Sequence, residues 1–300
     1  MTPTRDPAAV VTDAMRTACR HVGLDPSGAE LIRWGENALF RLASAPVIVR
    51  IARTAAYLPA VRREVEVSRW LAAEGYPAAE VVDDVEQPVV VDDFPVTFWH
   101  AIEDGGREAS YAELGGLMRD LHQLTPPDAV GLQRFDPFTR AELRIERAPA
   151  VADDDRAFLR SRTAELRREV AALEFAGSLV PVHADAHLAN VIVDRRGRPV
   201  LIDLEYFCHD NAEWDLMTVA ATHDSFGWTT EDEYQQFARA YGRDLRDWDG
   251  FRTLRRVQEF LMTTWLIQNA THGEEVAREC ARRIASLRGP DDAPRHWNAY

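Results

Sequence analysis

The chain contains no lysine; all 35 of its basic residues are arginine. A phosphate loop built on Gly-Lys-Ser or Gly-Lys-Thr is thereby excluded, and any cation that a phosphate requires must be a guanidinium. The three cysteines, Cys19, Cys208 and Cys280, are odd in number and far apart, which argues against a disulfide framework or a zinc-thiolate site. No apolar run approaches the roughly 20 residues of a membrane span, and Met1–Asp6 does not read as a signal peptide. Internal repeats and low-complexity tracts are absent too. These absences point to a soluble, cytoplasmic protein.

What is present is a 300-residue chain, long enough for one large domain or two lobes. Its formal charge is −14, from 35 basic and 49 acidic residues, which disfavours nucleic acid or an anionic membrane as partner. A small cationic ligand suits that field. Apolar residues at helical spacing predict an opening helix over residues 8–22. Two strands at 31–34 and 38–42 flank the tight turn Gly35-Glu36-Asn37, and a β-branched strand runs over 46–53. On that strand Ile48, Arg50 and Ala52 share one face and Val47, Val49 and Ile51 the other. Arg50 in mid-strand either meets an anionic partner or sits at an edge with its charge in water. A helix over 60–75 carries Glu64 beside its apolar face, aimed inward at Arg50. Further strands are expected at 81–82, 88–91 and 94–101.

Gly105-Gly106 marks the expected lobe boundary, because a helical regime starts just beyond it. Ser110…Glu113 is a capping-box pattern opening a helix as far as Leu124. Helices follow by pattern at 154–175, 213–222, 230–241, 249–270 and 274–287, and the Pro- and Asp-rich tail from Gly289 is expected to fray.

The densest chemistry lies in His183-Ala184-Asp185-Ala186-His187-Leu188-Ala189-Asn190, with Asp203-Leu204-Glu205 following. The runs 191–193 and 200–202, separated by a Gly-bearing charged turn, read as a hairpin that brings Asn190 and Asp203 together. One amide and one carboxylate oxygen make a hard-oxygen pair of the kind Mg²⁺ prefers, leaving its other positions for water and phosphate. Asp185, in the loop before, suits a base that orients or deprotonates a hydroxyl.

This pattern, His183-x-Asp185-x4-Asn190 and then Asp203-x-Glu205, resembles the aminoglycoside phosphotransferase and choline kinase-like family. The likeness extends from about Leu31 to Leu287 and is most specific from Val182 to Asp215. It implies an α+β, two-lobed protein-kinase-like fold, with a small antiparallel-sheet lobe (1–104) for nucleotide and a larger helical lobe (105–300) carrying the catalytic loop and substrate site. It further implies Asp185 as base, Asn190 and Asp203 as Mg²⁺ ligands, Arg50 as the phosphate-contacting cation with Glu64 as its partner, and Asp215 as a brace of the catalytic loop. Gly35 and Asn37 fall at the loop over the phosphates, and Trp99 and Ala101 at the adenine hinge, where the aromatic residues read equally as core. Two departures stand out. Ala184 replaces a usual glycine, at a cost of about 1 kcal/mol if φ there is positive, and Arg50 replaces a usual lysine.

The implied activity is transfer of the γ-phosphoryl group of ATP or GTP to a hydroxyl of a small, amine-bearing compound such as an aminoglycoside-type antibiotic. The acceptor could instead be an amino alcohol, sugar or hydroxy amino acid. A non-catalytic nucleotide-binding protein on the same fold is a further alternative. His187, Glu205, Asp210 and Glu213 are candidate substrate contacts; Glu205 reads equally as a metal or loop contact. A zinc-hydrolase reading of His183-x-Asp185-x-His187 leaves Asn190, Asp203 and Arg50 without a role. The expected assembly is a monomer or homodimer.

Overall fold

The computed structural model describes residues 6–300 except residues 36, 176, 292 and 294. Along the chain the regular elements are α1 (Pro7–His21), β1 (Glu30–Trp34), β2 (Asn37–Arg41), β3 (Val47–Ala52), α2 (Leu58–Ala73), β4 (Val89–Val91) and β5 (Phe94–His100). Then come α3 (Tyr111–Leu121), α4 (Pro137–Arg147), α5 (Asp153–Ala171), β6 (Val180–Val182), β7 (Val191–Val193), β8 (Pro199–Leu201) and β9 (Cys208–Asp210). Four helices close the chain: α6 (Glu213–Asp224), α7 (Glu231–Tyr241), α8 (Phe251–Ile267) and α9 (Glu274–Leu287).

These elements form two compact units. The first comprises Met1–Ala109, Thr125–Leu132 and Ala189–Phe207; the second comprises Ser110–Leu124, Gln133–Leu188 and Cys208–Tyr300. The segment Ala189–Phe207 thus packs with the sheet, although it lies far beyond Gly105-Gly106 in the chain.

The first unit is built on an antiparallel sheet in the order β1-β2-β3-β5-β4. Alternation along β3 sends Val47, Val49 and Ile51 into a core with Phe40, Val96, Phe98 and, from α1, Met15, Ala18 and Cys19. Arg50 points to the other face, in register with Leu39 and Thr97. Residues 81–82, expected as a strand, contribute a single bridge, Val81 to Trp99; two residues before Asp83-Asp84 are too few to propagate a ladder. The β7–β8 hairpin pairs Val191 with Leu201, and its turn is closed by Asp194, whose Oδ1 accepts from the amides of Arg196 and Arg198, each at 2.9 Å. Gly105 lies flat on this hairpin. Its amide donates to Val193 O at 2.8 Å, and a Cβ there would fall 2.5 Å from Asp194 O.

The second unit is helical. Capping boxes start α3 at Ser110/Glu113 and α7 at Thr230/Glu233, and the two helices pack closely where Gly115 leaves a Cβ position only 2.5 Å from Phe237 O. Three elements without a sequence expectation appear here. Helix α4 starts on the N-cap Asp136 with Pro137 at its first position, and the short strands β6 and β9 pair antiparallel.

The tail, expected to fray, holds two buried residues, Arg295 and Trp297. Trp297 is only 3 % exposed; it stacks on Phe226 at 4.9 Å, lies beneath the Arg283 guanidinium at 5.0 Å and donates from Nε1 to Ser286 Oγ at 2.9 Å. Arg295 is buried against Glu259, with Nε at 2.9 Å and Nη2 at 2.8 Å. The polar composition that suggests fraying is offset by this one aromatic and one fully paired guanidinium. Trp297→Ala is expected to lower the free energy of unfolding by about 3–5 kcal/mol, the usual range for a buried tryptophan, read as a fall in the urea midpoint at unchanged slope.

Candidate active site

Sites expected from the sequence fall in both units, and each unit is built around one charged knot. In the second unit the knot is Asp215, on the first turn of α6 and fully buried. Its Oδ2 accepts from the amide of His183 at 2.9 Å and its Oδ1 from the amide of Ala184 at 2.7 Å. Two consecutive amides on one carboxylate fix the backbone just before Asp185. Ala184 itself takes φ +63°, in the left-handed region that favours glycine; its Cβ carries the ~1 kcal/mol cost that the missing glycine implies.

Asp215 is itself held by His122, the C-cap residue of α3, with Nε2 2.9 Å from Oδ2. With Nε2–H donating to the carboxylate, His122 Nδ1 is left to accept from Tyr241 OH at 2.9 Å. Burial, then the charges of Asp215 and Glu213, push the Tyr241 phenol up to about 12, so it stays a donor. The sequence reading missed both residues. His122 directly follows the last residue of a helix and Tyr241 is the last of another, and nothing in either local pattern announces a partner more than ninety residues away.

Asp185 and His187 are about 40 % exposed and face each other, with Nε2 3.4 Å from Oδ2. His183 is buried. Two of the expected substrate contacts do not offer themselves to a ligand. Asp210 is buried and receives Arg134 Nε at 2.6 Å, Trp214 Nε1 at 3.1 Å and the amides of Phe135 and Asn211. Burial works against its charge, but these bonds outweigh burial and hold its pKa below the ordinary carboxylate value. Glu213 is fully buried and pairs with Arg243 at 2.7 Å. Both are structural anchors, because a buried carboxylate, at the end of β9 or the start of α6, must be paired from within.

In the first unit the knot is Arg50. Its Nη1 donates to Glu64 Oε1 on α2, and its Nη2 donates to Glu205 Oε2 at 2.9 Å. With the Asn37 amide oxygen turned to the guanidinium, Nε and Nη2 also donate to it at 3.1 and 2.8 Å. The edge-strand alternative for Arg50 is therefore discarded. Glu205, expected as a substrate, metal or loop contact, is here bound to Arg50. Around a single guanidinium stand three carboxylates, Glu64, Glu205 and Asp203. Burial, reinforced by Glu205 and Asp203 and only partly offset by Arg50, pushes Glu64 up to about 7, whereas Arg50 is held above its usual value.

Asn190 and Asp203 sit at one end of the β7–β8 hairpin, where Ile202 N donates to Asn190 O at 2.9 Å. Asp203 adopts φ +65° at the start of the short 3-10 turn Leu204–Tyr206. An amide oxygen and a carboxylate on adjoining chain fit a hard divalent cation that keeps positions for phosphate oxygens; no group of three or more His, Cys, Asp or Glu able to hold a metal occurs among the described residues. Gly35 has an ordinary φ and its Cβ position meets nothing closer than Arg33 Nε at 3.8 Å, while Glu36 lies outside the described residues. At the expected hinge, Trp99 is buried, with Nε1 on Thr97 Oγ1 at 2.9 Å. The amide of Ala101 donates to Pro46 O at 2.8 Å, so of its backbone groups only the carbonyl remains to meet a base.

The model of the phosphotransferase enzyme family, APH, matches residues 29–255. The chain belongs to this family. No match is found among the curated proteins. Similar solved structures include amicoumacin kinase hAmiN in complex with AMP-PNP, Ca²⁺ and Ami, at 15 % identity and TM-score 0.71 over 97 % of this chain and 95 % of that one. Choline kinase LicA from Streptococcus pneumoniae is similar at 16 % identity and TM-score 0.62, over 93 % and 99 % of the two chains. Aminoglycoside phosphotransferase APH(3'')-Id from Streptomyces rimosus follows at 22 % identity and TM-score 0.59, over 83 % and 97 %. The phosphotransferase thus has the α+β, protein-kinase-like fold of these enzymes.

Two outcomes test the knots. Asp215→Asn leaves one acceptor oxygen for three buried donors, so unfolding free energy should fall by about 2–3 kcal/mol in urea titrations. Glu64, with a folded pKa near 7 above its unfolded value near 4.5, binds a proton more readily in the folded state. Its stabilising contribution is complete below pH 4.5 and is lost as pH rises through 7. Thermal unfolding between pH 4.5 and 7.5 should therefore show a falling component in the parent protein that Glu64→Gln removes.

Proposed function

We propose that this phosphotransferase moves the γ-phosphoryl group of ATP or GTP to a hydroxyl of a small, amine-bearing compound. The observation that carries the reading is the Asp215 brace: it holds the backbone of His183 and Ala184 while leaving the Asp185 carboxylate accessible. In this reading Asp185 accepts the hydrogen bond of the attacking hydroxyl and takes its proton as the oxygen bonds to the γ-phosphorus and the bond to the bridging oxygen breaks, releasing the nucleoside diphosphate. Arg50, locked to Glu64, contacts the nucleotide phosphates, and Asn190 and Asp203 hold Mg²⁺. When bound, the ion supplies charge neutralisation for the phosphate oxygens. Positioning and electrostatics then provide most of the acceleration.

Net charge of −14 favours a cationic acceptor, and similarity to amicoumacin and aminoglycoside kinases supports an antibiotic. A second reading, an amino alcohol or other hydroxylated metabolite as acceptor, draws support from the similarity to choline kinase LicA. Among the described residues no helix is long and apolar enough to cross a membrane.

A thermal-shift screen with Mg²⁺, ATP, GTP and a panel of aminoglycosides and amino alcohols should yield ligands that raise the melting temperature. With any acceptor so found, Asp185→Asn should lower kcat by roughly 10²–10⁴-fold at an unchanged melting temperature. Asp203→Asn, chosen because asparagine tolerates the left-handed backbone, should lower it through the metal. Full turnover by Asp185→Asn would remove that residue from its assigned role.

A further inference from the structure

Arginine at position 50 does something that a lysine could not. A lysine ammonium is a compact charge on a flexible stem, whereas a guanidinium is a rigid planar fork whose two ends address separate acceptors. Here one end takes Glu64 on α2 and the other takes Glu205, 155 residues farther along the chain. Glu205 lies two residues after Asp203, inside the 3-10 turn Leu204–Tyr206. The same turn packs on α2, and just beyond it Phe207 meets Trp70 of that helix edge-on at 6.2 Å. The left-handed Asp203 is thus followed by a turn tied to β3 through Arg50 and to α2 through Trp70.

We propose that Arg50 and Glu205 form a bracket that positions Asp203, so that Glu205 is a positioning residue for the metal-ligand turn and Arg50 serves that turn as well as phosphate. The inference rests on the phosphotransfer reading for the role of Asp203, while the bracket itself stands on the Arg50 geometry. Deleting either arm leaves Asp203 in place chemically but loosens the backbone that aims it. Outer-shell groups of this kind are worth roughly 10–100-fold in metal affinity.

The test uses Arg50→Lys, Glu205→Gln and the double variant, each examined in two ways. Amide hydrogen exchange without nucleotide reads the turn directly, the Phe207 amide, which donates to Leu204 O at 3.2 Å, being its reporter. Each single variant should exchange that amide roughly tenfold faster, and the double variant no faster than either, because both break one bracket. Calorimetry with AMP-PNP, in the presence and absence of Mg²⁺, reads the consequence. Glu205→Gln should reduce the Mg²⁺-dependent gain in nucleotide affinity about tenfold while changing metal-free nucleotide affinity less than twofold, and the reduction should vanish in the Arg50→Lys background.

Unchanged exchange in both single variants overturns the bracket. A Glu205→Gln effect on the Mg²⁺ gain that persists in the Arg50→Lys background also overturns it, since Glu205 would then act on the metal without Arg50. Faster, non-additive exchange in a protein that binds no nucleotide supports the bracket and overturns the phosphotransfer reading instead.

Discussion

The second unit depends on one carboxylate that no solvent reaches. Asp215 offers two oxygens, and three donors use them: two adjacent backbone amides and one imidazole. Buried carboxylates are expensive unless satisfied in this way, and satisfaction here dictates the conformation of its partners. The positive φ of Ala184 lies just beyond the second of these amides, where the chain leaves the brace for Asp185. The bonds to Asp215 are worth more than the ~1 kcal/mol that this backbone costs. His122 and Tyr241 extend the same network to the ends of α3 and α7, so that the helices set the loop.

The first unit solves the opposite problem. There the scarce group is the cation: Arg50 alone faces Glu64, Glu205 and the charge of Asp203. One positive charge among three carboxylates leaves an excess of negative charge, which adds to the effect of burial in raising the pKa of Glu64. The cluster gains stability either from a proton on the most buried carboxylate or from a further cation near Asp203. A divalent ion at the site proposed for Asn190 and Asp203 would relieve the same deficit as that proton.

What was legible in the sequence follows from how local each signal is. The β-branched run of β3, the capping box of α3 and the hairpin turn at Asp194–Gly197 each specify structure within a few residues, and each appears as expected. Helix α4 carried a readable start in Asp136-Pro137 that the apolar pattern did not pick out. Strands β6 and β9, three residues each, are strands because they find each other. The tail misled because composition averages over residues, while Trp297 and Arg295 act singly. In the site, Arg50 and Glu64 could be matched by facing geometry from a strand and the next helix. The second partner, Glu205, was hidden by chain distance, and Asp210 and Glu213 read as substrate contacts because their partners Arg134 and Arg243 are also remote in the chain.

The lysine-free composition takes on meaning in this setting. The partners of three buried guanidiniums show a common use. Arg50 joins α2 to the turn after β8. Arg283 reaches Glu279 on its own helix, Met262 O on α8 and Asn298 O in the tail. Arg295 joins Glu259 on α8 to Ser286 O on α9. In each case one side chain satisfies acceptors on separate segments, including carbonyls that helix ends leave open. An ammonium has three donors on a small sphere and is more strongly hydrated, so burying it at such junctions would leave distant acceptors unmet. A chain that assembles its units through junctions of this kind needs guanidinium at each of them. The same requirement extends to position 50, where the fork ties α2 to the turn after β8.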